Sequence, residues 1–367
     1  MTSMPACESL CVADTDSSTE SQTSLASASD PTRSFAQDLI RAFAQLPRCI
    51  SPKYFYDAQG SQLFDRICEL PEYYPTRIER GILREYACDI AALMEPNAEL
   101  IEFGAGSLQK AGRLLKAMRR PARFVPIDIS GDHLRASVSS LTEFLVEPGT
   151  ARESRPGHLQ IVPITADYTR GLVQALEGLP AIGPRYGYFA GSTIGNFTPD
   201  EALDFLRQAA ELLRGGALIL GTDLIKDPAV LHAAYNDAQG VTAAFNRNLL
   251  ARANRELGAD FVLDDYAHSA FYNAPENRIE MHLMALRRQT IRICGRRFQL
   301  REGESLHTEN SYKFTIESAR ALAARAGFTP GPVWTDPARL FAVHWLQSPR
   351  KFVSNGRGNT HSSIHLA

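Results

Sequence analysis

The chain has 367 residues, enough for one large or two ordinary domains. Its 44% hydrophobic and 22% charged content is that of a globular protein, and a net charge of −2 offers no global basic field for nucleic acid. No apolar run approaches the ~18 residues of a spanning helix, and the first residues lack the basic and apolar segments of a secretory signal.

Residues 1–33 are rich in Ser, Thr, Ala and Asp, with too few large apolar groups to offset ordering entropy, and are expected to be a disordered leader. Cys7 and Cys11 within it have loose metal-ligand spacing, but no partner pair follows. All six cysteines therefore read as reduced thiols of a cytoplasmic protein, and no metal is expected. From Ser34 the pattern is helical, with Phe35, Leu39, Ile40 and Phe43 recurring at three and four. Next come Lys53-Tyr-Phe-Tyr-Asp57 and Leu70-Pro-Glu-Tyr-Tyr-Pro-Thr-Arg77. Two prolines bracketing paired tyrosines predict an extended or turned segment before a helix over 80–94.

A βα alternation then sets in. Strands are expected over 100–103, 123–129, 159–165, 186–190 and 217–223. Helices are expected over 108–119, 132–145, 171–176 and 200–213. Such alternation implies a mostly parallel sheet covered on both faces and doubly wound. After residue 226 it breaks. Residues 228–257 read as helical, then 278–285, 290–293 and 298–300 as an antiparallel meander that ends at His307-Thr-Glu-Asn-Ser-Tyr-Lys313. A helix over 316–326 stops at Gly327, and strands over 333–335 and 341–346 return to the main sheet, the last antiparallel. Residues 349–367 read as a frayed tail.

The expected fold is therefore α/β, a Rossmann-like domain formed by 78–225 and 314–348. A second lobe comes from the N-terminal helices, 34–77, and an α+β insertion, 226–313.

The first strand of the alternation ends in Glu102-Phe-Gly-Ala-Gly106 and feeds a helix. A glycine turn at a helix N-terminus lets backbone approach a nucleotide-like ligand. The third glycine of a dinucleotide fingerprint would fall at Gln109 and is absent. The next strand ends at Asp128, where a carboxylate can accept both ribose hydroxyls, and the third at Asp167-Tyr168, an acid beside an aromatic suited to adenine. Taken singly, Asp128 and Asp167 also read as helix caps. Three such signals at consecutive strand ends, with the missing glycine and the late antiparallel strand, point to S-adenosylmethionine rather than NAD. Its methionyl carboxylate would sit near the helix N-terminus and Lys110.

Longer strings add to this: Gly191-Ser-Thr-Ile-Gly-Asn-Phe-Thr198, Gly221-Thr-Asp-Leu-Ile-Lys226, Gly240-Val-Thr-Ala-Ala-Phe-Asn-Arg-Asn248 and Arg278-Ile-Glu-Met281. With those above, the chain from about Phe35 to Leu346 resembles the histidine-specific Nα-methyltransferases of ergothioneine biosynthesis. The resemblance implies three methyl transfers from S-adenosylmethionine to the α-amino group of L-histidine, giving hercynine. It implies cofactor contacts at Gly104, Lys110, Asp128, Asp167 and Tyr168, and histidine contacts at Tyr73, Asn196, Tyr235, Glu309 and Ser311. The partners expected are these two small molecules, with no nucleic acid or membrane, and the protein is expected to be a monomer.

The residue types suit those roles. Asn196 offers a donor and an acceptor to an amino acid's charged groups, though it also reads as a helix cap. Tyr235 would donate to the carboxylate, or else simply pack. Glu309 and Ser311 stand two apart in an extended segment and face one way, so one can take the imidazole N–H and the other can satisfy its second nitrogen. Met281 would pack on the ring or fill core. Methyl transfer is an in-line displacement that needs an aligned amine more than a strong base, and Tyr56 is the candidate for orienting it. The alternatives are a methyltransferase for another aromatic amino acid such as tryptophan, and a non-catalytic module that binds S-adenosylmethionine.

Overall fold

The computed structural model describes residues 31–146, 159–169, 171–176 and 178–350. Most of the expected leader and tail, residues 1–30 and 351–367, lies outside the described residues. The N-terminal part holds α1 (Pro31–Ala44), β1 (Arg48–Cys49), α2 (Ala58–Glu69) and α3 (Tyr74–Ala92). The alternating part follows with β2 (Glu99–Phe103), α4 (Gln109–Ala117), β3 (Arg123–Asp128), α5 (Gly131–Leu145), β4 (Gln160–Ile161), β5 (Ile164–Thr165), α6 (Leu172–Ala175), β6 (Arg185–Phe189), α7 (Pro199–Leu212) and β7 (Ala217–Asp223). Beyond it come α8 (Pro228–Tyr235), α9 (Val241–Leu257), β8 (Tyr266–Asn273), β9 (Arg278–Ala285), β10 (Gln289–Ile293), β11 (Arg296–Leu300) and β12 (Ser305–Tyr312). The described chain closes with α10 (Ile316–Arg325), β13 (Thr329–Thr335) and β14 (Phe341–Gln347).

Among the described residues, the main sheet has eight strands in the order β13-β14-β7-β6-β2-β3-β4, with β5 also beside β3. The pairs β2·β3, β2·β6 and β6·β7 are parallel, and β14 runs antiparallel between β7 and β13. Both faces are covered, so the central strands read as apolar runs, and every residue of β2 and β7 is buried. Successive strands step away from β2 to opposite sides, which makes its C-terminal end the switch point where a crevice opens. Helix α7 starts there on a capping box, Thr198 with Glu201, and Pro199 in its first turn.

A second sheet, β1-β12-β9-β8, packs with α1, α2, α8 and α9 around its own core, which includes Phe35, Phe55, Phe245, Tyr266 and Ile279. Several elements depart from the sequence reading. Helix α1 begins at Pro31 rather than Ser34. Pro75 lies in the first turn of α3, where its missing N–H costs nothing, so the helix starts six residues before residue 80. Pro163 divides the third strand into β4 and β5. The 228–257 helix is two. Gly240 turns at φ +69°, and Asp237 accepts from the backbone N–H of Val241 and Thr242, each at 2.8 Å, to start α9 afresh. Strands β10 and β11 form a separate two-stranded ribbon instead of extending the meander, and β8 fills the place beside β9.

Candidate active site

The two sheets face each other across a cavity of about 1050 Å³. The glycine turn forms one wall. Gly104 and Gly106 adopt φ +67° and +48°, in the left-handed region that favours glycine. The turn is fastened to β3 by Gly104 N–H donating to the Ile127 carbonyl at 2.9 Å, and Gly106 N–H donating to Asp128 Oδ2 at 3.3 Å. A Cβ on Gly104 would lie 3.1 Å from the Tyr168 hydroxyl, so the turn and that ring are closely apposed. Asp128 also accepts from Ser130 N–H at 2.9 Å. Burial raises the Asp128 carboxyl, and these backbone donors oppose the rise.

Gly104, Lys110, Asp128, Asp167 and Tyr168 all line this cavity. Two of them have partners that the sequence reading did not name. Lys110 Nζ lies 2.6 Å from Glu79, which is fully buried and also accepts from the Tyr188 hydroxyl at 3.0 Å and Gly191 N–H at 2.9 Å. Asp167 Oδ2 takes a 2.9 Å ion pair from Lys53 of the Lys-Tyr-Phe-Tyr-Asp string. Burial alone would raise the Asp167 carboxyl, but Thr169 and Lys53 outweigh it and hold the group below its ordinary value. Glu79 was detectable as a carboxylate on the apolar stripe of α3, three and four residues before Ile82 and Leu83.

Tyr56, Tyr73, Asn196 and Glu309 line the same cavity. Tyr235 and Met281 line a small adjoining cavity of about 20 Å³, together with Tyr73 and Glu309. Ser311 lines neither. It is buried beside Tyr235, whose hydroxyl donates to Ser311 Oγ at 2.7 Å. Lys313, fully buried, completes this group with 2.8 Å to Ser311 Oγ, 3.2 Å to the Tyr235 hydroxyl and 2.9 Å to Asp223 Oδ2. The Glu309 carboxylate takes no hydrogen bond from any described residue. Burial pushes it up to about 7, with the Lys313 charge acting the other way. Burial likewise raises the hydroxyls of Tyr56 and Tyr73, so both stay protonated donors.

Strand β12 delivers Glu309 and Ser311 through a β-bulge. His307 pairs with His282 and Glu309 with the adjacent Met281, leaving Thr308 as the extra residue. Buried positions therefore switch from even, Leu306 and Thr308, to odd, Glu309 and Ser311. Thr308 Oγ1 anchors the bulge at 2.8 Å from Asn246 Oδ1 and 3.0 Å from the Met281 carbonyl. His307 Nε2 adds a 3.0 Å bond to the Glu309 carbonyl. Among the described residues, Glu280, His282 and His307 form the one group with metal-ligand proximity, but Glu280 is already held by Arg278 and Asn273.

The family model described as histidine-specific methyltransferase, SAM-dependent, matches residues 35–348. The chain belongs to this family. The Histidine N-alpha-methyltransferase of Mycolicibacterium smegmatis is 41% identical over 313 residues, covering 84% of this chain and 92% of that protein. The protein of the same name from Mycobacterium tuberculosis matches equally well, at 41% over 313 residues. Ergothioneine biosynthesis protein 1 of Neurospora crassa is 26% identical over 328 residues, covering 84% of this chain and 34% of that longer protein. This methyltransferase is thus an S-adenosylmethionine-dependent enzyme of histidine methylation, and the reading as a non-catalytic module is not favoured. No described helix is long and apolar enough to cross a membrane.

Proposed function

We propose that this enzyme adds three methyl groups in succession to the α-amino nitrogen of L-histidine, giving hercynine, the first step of ergothioneine biosynthesis. The observation that carries the substrate assignment is Glu309. An unpartnered carboxylate, buried on a wall shared by two cavities, is costly unless a ligand brings it a donor. An imidazole N–H is such a donor, and the Ser311 hydroxyl on the same face of β12 suits the second ring nitrogen. Tyr73 and Asn196 would then hold the amino acid's backbone groups and Met281 the ring face, while Tyr235, whose hydroxyl proton goes to Ser311, would act through that serine.

The glycine-turn wall fits S-adenosylmethionine. Gly104 and Gly106 present bare backbone, Asp128 suits the ribose, and Asp167 with Tyr168 suits the adenine. We assign the methionyl end to Lys110, held in place by Glu79. The sulfonium supplies the methyl group and departs as S-adenosylhomocysteine. The chain's own work is alignment. The α-amine must be neutral to attack, so its lone pair has to be free and pointed by the tyrosine hydroxyls. After each of the first two transfers the new ammonium must lose a proton, whereas the third leaves a quaternary nitrogen with none to lose. Positioning of this kind can supply about 7–11 kcal/mol of the barrier. We also propose that the N-terminal helices and residues 226–313 act as the histidine-gripping lobe, with 78–225 and 314–348 holding the methyl donor.

Incubation of the protein with S-adenosylmethionine and a mixture of amino acids, read by mass, tests the assignment. The expected result is histidine heavier by three methyl groups. A gain confined to another amino acid would overturn it.

A further inference from the structure

Lys313 does not line either cavity, yet it is fully buried and all its donors are spent. An ammonium has three N–H bonds. Here they meet Asp223 Oδ2, Ser311 Oγ and the Tyr235 hydroxyl, at 2.9, 2.8 and 3.2 Å. Asp223 itself is fixed at the end of β7 by the Tyr74 hydroxyl at 2.7 Å and Lys226 at 2.5 Å, so the ammonium has no freedom to reorient. The consequence falls on Ser311. Its oxygen accepts from Lys313 and from the Tyr235 hydroxyl, which occupies both lone pairs. What remains is its own proton. A serine hydroxyl is ordinarily ambivalent, able to give or accept; this one is left only able to give.

We propose that Lys313 is a positioning residue that sets Ser311 as an obligate hydrogen-bond donor, so that the site accepts a ring with an unprotonated nitrogen and rejects one without it. This rests on the proposed seat of the imidazole between Glu309 and Ser311. With Glu309 taking the ring N–H and Ser311 giving to the other nitrogen, the pair selects the neutral ring in one tautomer. An imidazolium would set N–H against O–H, with no acceptor between them. Apolar aromatic rings leave the Ser311 proton unmatched.

The test is a double-mutant cycle with S-adenosylhomocysteine bound, measuring the Kd of L-histidine and of β-(2-thienyl)-L-alanine, a similar ring with no nitrogen. In the native protein histidine is favoured. Ser311→Ala is expected to narrow that preference about tenfold, one hydrogen bond's worth. Lys313→Met is expected to narrow it as much, and the double variant no further than either alone. Losses that multiply, or a Lys313→Met variant that weakens both ligands equally, would reduce Lys313 to a structural role and overturn the proposal. A second measurement needs no variant. The nitrogen-15 spectrum of ring-labelled L-histidine bound to the native protein should show one protonated and one bare ring nitrogen. Two protonated nitrogens would overturn the proposal, while failure of histidine to bind at all would instead overturn the substrate assignment.

Discussion

Glu309 brings stability and function into opposition within one side chain. In the folded protein its carboxyl keeps its proton up to about pH 7, because burial penalises the charge. In the unfolded chain it ionises near pH ~4.3. The folded state therefore binds more protons between these values. Glu309 costs the fold nothing below the lower one, and the cost grows as pH rises to about 7 and stays above it. Glu309→Gln should accordingly be more stable than the native protein at pH 8, by about 2–3 kcal/mol, and no more stable below about pH 4, as read by urea unfolding. The same substitution should lower kcat/KM for histidine by about 10–100-fold, through loss of a charged hydrogen bond. Tyr56 is argued differently. Its ring packs edge-on against Phe64 and Phe245, so Tyr56→Phe keeps the packing and removes only the hydroxyl. The expected outcome is slower methylation, about tenfold, with little change in thermal stability. Unchanged rates for all three transfers would exclude the orienting role.

Among the elements, β12 is the one whose irregularity matters. Period-two alternation carried straight through it would bury Asn310 and expose Glu309; the bulge at Thr308 reverses this. Thr308→Val should leave Asn246 Oδ1 and the Met281 carbonyl short of a donor, costing about 1–3 kcal/mol in urea unfolding. Histidine affinity should fall with it, and calorimetry should find S-adenosylhomocysteine affinity unchanged, since the glycine turn is on the other wall. The alternating part of the chain was legible because its central strands are buried along their length and α7 opens on a capping box; β7 was read to the residue. Strand β8 was not read, because its buried residues, Tyr266 and Ala270, stand four apart and its other positions are half-exposed. The acids at the strand ends could be read from position alone. Glu309 and Ser311 needed the family resemblance, since two polar residues on a strand otherwise read as a solvated face. Lys53 and Lys313 went unread because their partners, Asp167 and Asp223, are supplied by the tertiary fold and leave no local pattern; Glu79 does leave one, as a carboxylate on the apolar stripe of α3, but its partner Lys110 is likewise set only by the fold.

At the scale of the whole molecule, the chain passes between the second sheet's core and the main sheet at three places: the start of α3, the exit from β7, and the exit from β12. Tyr74, Lys226 and Lys313 stand at these places, and all three bond to Asp223. The two later passages are also stitched backbone to backbone, with Phe314 N–H donating to the Asp223 carbonyl and Ile225 N–H to the Phe314 carbonyl, each at 2.9 Å. Burial would raise the Asp223 carboxyl and lower Lys226, which sits at about 8, but the two lysine charges hold Asp223 below its ordinary value. Asp223→Ala would leave two buried ammonium groups without their carboxylate. It should destabilise the protein by about 3–5 kcal/mol in urea unfolding at neutral pH.

This convergence limits how the molecule can flex. Three strands of backbone knotted at one carboxylate cannot be drawn apart there without stranding charge in a dry interior. Sliding one half past the other at that point is therefore costly.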